Sequence, residues 1–462
     1  MLMTLSIVDA ITGELILFAA VFIALGGVDD FLVDLLFVYY CCAGHRLSPK
    51  CSENWGGGAA SRFAIFVPAW DESSVIRPML RAMLARWTDG SYRIYVGTYP
   101  NDPATIAAVA SLALDDARVR LVVGPRPGPT TKADCLNALW AAMERDAAAE
   151  GEGFAAIVLH DAEDIVHPQE LSVYARWIKT HGAVQLPVAP LCQPGSRLVS
   201  GHYVDEFAQS HGATLLVRQM LGASLPLAGV GCAIRCEVLR RIADARGVPF
   251  DANSLTEDYE LGLSLRAMGA RTAFVRVPEA PGGAAVAVRA YFPATVQAAV
   301  RQKARWMAGI ALAGWDRTGW SRFWDLGDHW MRMRDRRAAL SMPVLAIAYV
   351  ALLGWSLSLL SHWMTGVPSP AQDAWLQALL AFNLLLLVWR WAMRTVLVTR
   401  LHGWREGRWA GPRMVVANYI ALLAARRALW TYVGLLAGGP LRWDKTAHQF
   451  PGSLFDATPA AA

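Results

Sequence analysis

Four polar stretches, separated along the chain, carry residue types that can do chemistry together. "HDAEDIVHP" sets Asp161, Glu163 and Asp164 directly after an apolar run. Adjacent carboxylates repel and resist burial, so their place at the end of a buried strand needs a cause. Two readings stand. Asp161 and Glu163 share a hard divalent ion whose shell phosphate oxygens complete, or the motif is a solvated turn with Asp164 capping the next helix. Hard cations prefer oxygen, so the neighbouring His160 and His167 are expected to be structural.

"LTEDYELGLSLRAMGA" presents Glu257 and Asp258, either a base for a hydroxyl acceptor or acids favoured in a helix's first turn. "PTTKADCLNALW" places Lys132 at a helix start, where a cation is disfavoured unless an anion meets it. "RQKARWMAGI" supplies Gln302, Arg305 and Trp306. Arg305 offers a fork matched to phosphate and Trp306 a flat apolar face for a sugar ring; the alternative is a pair of interfacial anchors.

The elements that must position these groups are legible as alternating patterns over residues 62–310. "FAIFVPAW", "YRIYVGTY", "VRLVVG", "AAIVLHD" and "AVQLPV" read as strands. "VIRPMLRAMLARW", "PATIAAVASLALDD" and "TKADCLNALWAAMERDAA" between them have helical length and period. Such alternation predicts an α/β fold with a mostly parallel sheet covered on both faces. Ligands in such sheets bind beyond the carboxyl ends of the strands, which is where the acidic motif falls.

The 462 residues are 55% hydrophobic and only 18% charged, against about 25% charged in an ordinary soluble domain, so part of the chain is expected in lipid. A net charge of +5 is too small, and too concentrated beside apolar segments, to point to nucleic acid. The 19 tryptophans suit interfacial anchoring as well as core filling. Seven cysteines form no CxxC pair, which argues against a disulfide framework or a structural zinc.

"LILFAAVFIALGGV" (residues 15–28) predicts one N-terminal span, extended toward Ile7 or Tyr40. Nothing basic precedes Arg46, which disfavours a signal peptide. Residues 338–360 and 374–393 predict two more spans. Arg332, Arg334, Arg336 and Arg337 before them, and Arg394, Arg400, Arg405, Arg408 and Arg413 after them, put both basic flanks in the cytoplasm. The segment from Arg413 to Gly438 has Arg426 and Arg427 at its middle, where charge is costly in a span, and is expected to lie along the interface. The expected organisation is therefore 1–60 first span and linker, 61–337 cytoplasmic domain, 338–394 paired spans, and 395–462 basic loop, interfacial helix and tail.

In order and spacing, Lys132, Asp161-x-Glu163, Thr256-Glu257-Asp258 and Gln302-x-x-Arg305-Trp306 resemble the motifs of membrane-bound family 2 glycosyltransferases. These are inverting, nucleotide-sugar-dependent enzymes with a Rossmann-like GT-A fold, and include cellulose, chitin and hyaluronan synthases. "HDAEDIVHP", "PLAGVGCAIR" and "RWDKTAHQFP" look closest to the phage-receptor (NfrB-like) branch of the bacterial inner membrane.

The resemblance implies a role for each position. Pro68 to Glu72, Asp71 among them, end the first strand near the nucleotide base, and Lys132 pairs with the diphosphate. Asp161 and Glu163 hold Mg2+ or Mn2+, with Glu in place of the usual second Asp. Gly229 to Ala233 form a floor below the acceptor sugar. Asp258 is the general base beside Glu257, while Gln302, Arg305 and Trp306 hold the acceptor or the departing diphosphate. Many members carry Asp at the end of the second strand, where this chain reads "VGTYPNDPAT"; Asp102 lies further along, which leaves the base open.

The implied activity is hexosyl transfer from a UDP-linked donor to a growing exopolysaccharide or surface glycan at the cytoplasmic face. A homodimer or an outer-membrane export partner is also implied. The alternatives are transfer of one sugar to a lipid-phosphate carrier and a non-catalytic scaffold or phage-receptor component.

Overall fold

The computed structural model describes residues 2–43, 61–88, 91–439 and 449–451. Most of "RWDKTAHQFP", as well as Arg46 and Cys51, lies outside the described residues. Helix α1 (Leu2–Cys42) precedes the alternating region: β1 (Phe63–Pro68), α2 (Ile76–Arg86), β2 (Tyr92–Thr98), α3 (Pro103–Asp115), β3 (Val119–Val123), α4 (Lys132–Glu150), β4 (Ala156–Leu159), α5 (Glu170–Trp177) and β5 (Ala183–Gln185). There follow β6 (Val188–Leu191), α6 (Gly201–Gln209), α7 (Leu215–Met220), β7 (Cys232–Arg235), α8 (Cys236–Arg246), α9 (Glu257–Ala267), β8 (Thr272–Phe274), β9 (Val288–Tyr291) and α10 (Val296–Met307). The chain ends in helices α11 (Gly314–Thr318), α12 (Leu326–Arg336), α13 (Ala338–Thr365), α14 (Ala374–His402), α15 (Trp404–Gly407) and α16 (Ala410–Leu436).

Seven strands form one sheet in the order β3-β2-β1-β4-β7-β5-β8. All neighbours run parallel except β7, which is antiparallel to β4 and β5. Side chains alternate across a strand, so Ile65, Val67 and Val158 enter a core with Met79, Met83 and Tyr174. Phe66 and Ile157 enter the opposite one, with Leu136, Leu139 and Leu239. The expected strand "AVQLPV" stops at Gln185: β5 joins the large sheet, and Val188 opens β6, which pairs with β9 in a separate two-stranded sheet. Pro187 supplies no N–H at the junction, and a ladder broken there lets the chain change sheets. The six cysteines of the described residues are all free.

Among the described residues three helices are long and apolar enough to cross a membrane: Leu5–Cys42, Ala338–Thr365 and Ala374–His402. Asp9, Asp29 and Asp30 of the first are paired by side chains of neighbouring helices, whereas Glu14 is exposed. Asp30 meets Arg334 at 2.8 Å and Arg390 at 3.8 Å, and Asp29 meets Arg337 at 2.6 Å. At the other end, Asp9 meets His362 at 3.0 Å. Asp9 and Asp30 are about 31 Å apart along the helix axis at about 1.5 Å per residue, close to the ~30 Å of a bilayer's hydrocarbon. Two polar latches therefore bracket a largely apolar stretch interrupted by Glu14.

Helix α16 is not among these three. It packs Ala424 and Ala428 against Ala304 and Ala308, at and just beyond the end of α10, and leaves Arg426 and Arg427 exposed. Its Arg413 is fully buried, donating to Asp205 at 3.1 Å and to the Arg197 carbonyl at 2.9 Å, and pairing with Glu406. A Cβ on Gly201 would run into its guanidinium. Arg413→Met is expected to destabilise the protein by about 3–5 kcal/mol, because it strands two acids that lose their cation; the thermal midpoint in detergent measures it.

Candidate active site

The acidic motif leaves the end of β4 as a turn held from within. The Asp164 carboxylate accepts the Asp161 backbone N–H at 3.0 Å and lies 3.0 Å from His160 Nδ1. His160 is fully buried, with Glu170 3.2 Å from its other nitrogen. Burial opposes the imidazolium, but Glu170 and Asp164 raise the pKa to about 10, so the trio is an internal ion cluster. Asp164 therefore caps no helix: α5 starts at Glu170 after Gln169, which makes no side-chain cap. The effect is to aim Asp161 and Glu163 at a cavity of about 350 Å³ that both line.

Strand β7 explains why a second motif arrives there. Its antiparallel register pairs Leu159 with Cys232, so the loop before β7 lies beside the end of β4. Gly229 takes φ +71, and a Cβ on it would sit 2.5 Å from Asp258 Oδ2, so glycine is what lets loop and carboxylate approach. The buried Gln185 side chain stitches this loop, accepting from Ala228 N at 2.8 Å and donating to the Val230 and Gly231 carbonyls at 2.9 and 3.1 Å.

Lys132 begins α4 behind the N-cap Thr131. Its ammonium lies 2.6 Å from Asp161 and 3.3 Å from the Gly229 carbonyl. Burial works against that charge, yet Asp161, Glu257 and Asp258 more than offset it and hold the ammonium above its usual range. The lysine thus meets carboxylates at the place where the resemblance implied a diphosphate. Glu257 and Asp258 occupy the first turn of α9. Burial, then repulsion from Asp258, pushes Glu257 up to about 7, and burial likewise raises Asp258 against the pull of Lys132.

The far wall is α10 with Gln302, Arg305 and Trp306. Gln302 Oε1, Arg305 Nε and Thr256 Oγ1 are buried there without hydrogen-bond partners in the protein. Buried polar atoms are normally satisfied, so an absent ligand or water is indicated. Trp306 also packs edge-on against Tyr203 and Phe292, at centroid distances of 6.1 and 6.5 Å. A π-helical turn, Ala308–Ala313, follows α10, and such bulges recur at functional sites.

Pro68, Asp71 and Glu72 end β1 outside the residues that line this cavity. Asp71 has φ +53, and its N–H donates to Asp102 at 2.6 Å; the Glu72 N–H donates to Thr105. Asp102 is thus occupied as the cap of α3 and the anchor of the β1 turn. Residue types alone did not single out Gln185, Gln193, Arg301 or Gln449, the last three of which line the cavity. A lone polar side chain in "AVQLPV" was the one signal for Gln185, and Gln449 sits in the quoted "RWDKTAHQFP".

Among the described residues no three His, Cys, Asp or Glu side chains gather to hold a metal unaided. Asp161 and Glu163 fit a hard ion only as two oxygen donors completed by diphosphate and water, the manner in which Mg2+ is commonly held.

Residues 60–309 match the family described as glycosyltransferase like family 2. The chain is 35% identical to bacteriophage adsorption protein B of Escherichia coli K12 over 467 residues, covering 95% of this chain and 62% of the relative. Bacteriophage N4 adsorption protein B of Escherichia coli O157:H7 matches to the same extent, so the chain spans under two thirds of the length of these curated relatives. A solved mannosyltransferase from Pyrobaculum calidifontis, in complex with GDP-Man and Mn2+, shares the fold with a TM-score of 0.53 at 17% identity, covering 88% of this chain and 98% of that one.

Proposed function

We propose, from the premise that this chain belongs to the glycosyltransferases like family 2, that it moves a sugar from a nucleotide donor to a growing surface glycan with inversion. Transfer takes place at the cytoplasmic face of a bacterial inner membrane. The observation that supports this is the meeting of Lys132, Asp161, Glu163, Glu257, Asp258, Gln302, Arg305 and Trp306 around one cavity. Asp258 takes the proton of the acceptor hydroxyl as it attacks. Direct displacement without an enzyme nucleophile inverts the anomeric carbon. Lys132 and Arg305 face the charge gathering on the departing diphosphate. A Mg2+ or Mn2+ held by Asp161 and Glu163 supplies further neutralisation of that charge.

The base works only when ionised. Burial raises Asp258 above the ordinary carboxylate range, so kcat/KM is expected to climb with pH above that range and to level off once Asp258 is ionised. Stability runs the other way. Glu257 binds its proton more tightly folded than unfolded, so stability falls as pH rises from about 4.5 to about 7.

The deciding experiment incubates the purified full chain with UDP- and GDP-linked sugars and Mn2+ or Mg2+, reading released nucleoside diphosphate. Release with at least one donor, dependent on the ion, is expected. A ladder of products supports glycan extension, whereas a single lipid-extractable product supports transfer to a lipid-phosphate carrier. No release with any donor supports the scaffold reading, the role nearest to the adsorption named for the relatives.

A further inference from the structure

We infer that a second cavity, between the β6–β9 sheet, α6 and the end of α14, is a binding site for a phosphate ester, gripped by Arg276 and Arg289. The inference is independent of the catalytic reading above. The cavity has a volume of about 260 Å³, and its walls include Leu191, Phe207, Arg276, Arg289, Leu401 and His402. No carboxylate is among its lining residues. Two arginines therefore line one open cavity with mostly apolar walls and no carboxylate among them.

Among the described residues neither arginine forms an ion pair with an acid. Arg276 is half-buried and donates to the Gly212 carbonyl at 3.1 Å. Burial holds its pKa below the usual guanidinium value, opposed among the described residues by the Cys41 thiol. Arg86 stands near enough to Arg289 that burial, then this repulsion, lowers its own pKa too. His211, on the same wall, accepts the Val188 N–H at 3.1 Å and is kept neutral by burial, at about 3. Positive charge concentrated in this way is costly until an anion arrives.

Phosphate suits the geometry, because guanidinium forks match its oxygens. The apolar walls then favour an ester over the bare ion. The cavity shares Val188 and Phe207 with the catalytic cavity, and the Phe207 ring also packs near Trp306. Leu401 and His402 end a candidate membrane helix, which leaves two sources for one chemistry: a soluble phosphate ester, or the head group of a lipid.

The test uses the full chain in phosphatidylcholine nanodiscs, with thermal midpoint as readout. Glycerol 3-phosphate is titrated in one arm, and phosphatidic acid is doped into the discs in the other. A rise in the first arm identifies a soluble ester, and a rise in the second alone identifies a head group; either supports the site. Arg289→Gln is expected to weaken the effective probe about tenfold, the worth of one charge-assisted hydrogen bond, and Arg276→Gln with Arg289→Gln to abolish it. Arg289 is exposed, so its single variant keeps the test valid if the double variant fails to fold. UDP and GDP binding, measured alongside, stays unchanged and separates this site from the catalytic one. No rise with either probe, or a rise that Arg289→Gln leaves intact, overturns the inference.

Discussion

Asp258→Asn lowers the rate of sugar transfer by about 10³-fold, within the range general bases contribute, while donor affinity stays within about twofold. The substitution keeps the shape of the side chain and an oxygen for the Tyr259 N–H, which Asp258 accepts at 2.8 Å. What it removes is the proton acceptor. Loss of negative charge beside Lys132 also leaves that ammonium with Asp161 and Glu257 as its remaining anions, so the site stays filled and paired. Single-turnover release of nucleoside diphosphate, set against equilibrium binding of the same donor, separates the two effects. A variant that turns over at the wild-type rate would remove Asp258 from the chemistry and favour the scaffold reading.

Replacing both Asp161 and Glu163 by their amides gives a comparable loss, with a different signature. A metal contributes several kcal/mol to a transition state that gathers charge on phosphate, which is about 10³-fold in rate. The expected variant no longer responds to Mn2+ or Mg2+ at any concentration, whereas Asp258→Asn keeps its metal requirement. Lys132 loses its partner at 2.6 Å, so its raised pKa is expected to fall back. A metal titration of donor affinity reads the first effect directly. If the double variant kept wild-type metal dependence, the ion would be held elsewhere.

Much of this arrangement could be read before any coordinates. The parallel core strands are apolar runs bounded by turns, and the helices between them have lengths and periods that admit no second reading. The acidic motif fell at a strand end because the strand pattern ended there. What stayed hidden depends on partners distant in sequence. "AVQLPV" has the composition of a single strand, and only the different neighbours of its two ends split it between sheets. Asp164 has the position of a helix cap, but a buried histidine before it and Glu170 after it make a better use of its charge.

The first helix gives the same lesson in reverse. Asp29 and Asp30 interrupt its apolar run, and Arg334, Arg337 and Arg390, which pair with them, lie more than three hundred residues on. Asp102 seemed a poor candidate for the nucleotide base, and its carboxylate proves to be taken by the Asp71 and Thr105 N–H groups. Arg276 and Arg289 carried no motif at all, since a cavity without a carboxylate exists only in three dimensions.

The most direct measurement is a cryo-electron microscopy structure of the full chain in nanodiscs with Mn2+ and a nucleoside diphosphate. Metal density is expected in direct contact with both the Asp161 and Glu163 carboxylates, with the diphosphate against it and Asp258 facing the same space. A nucleotide bound away from this cavity, or a metal held by other side chains, would contradict it.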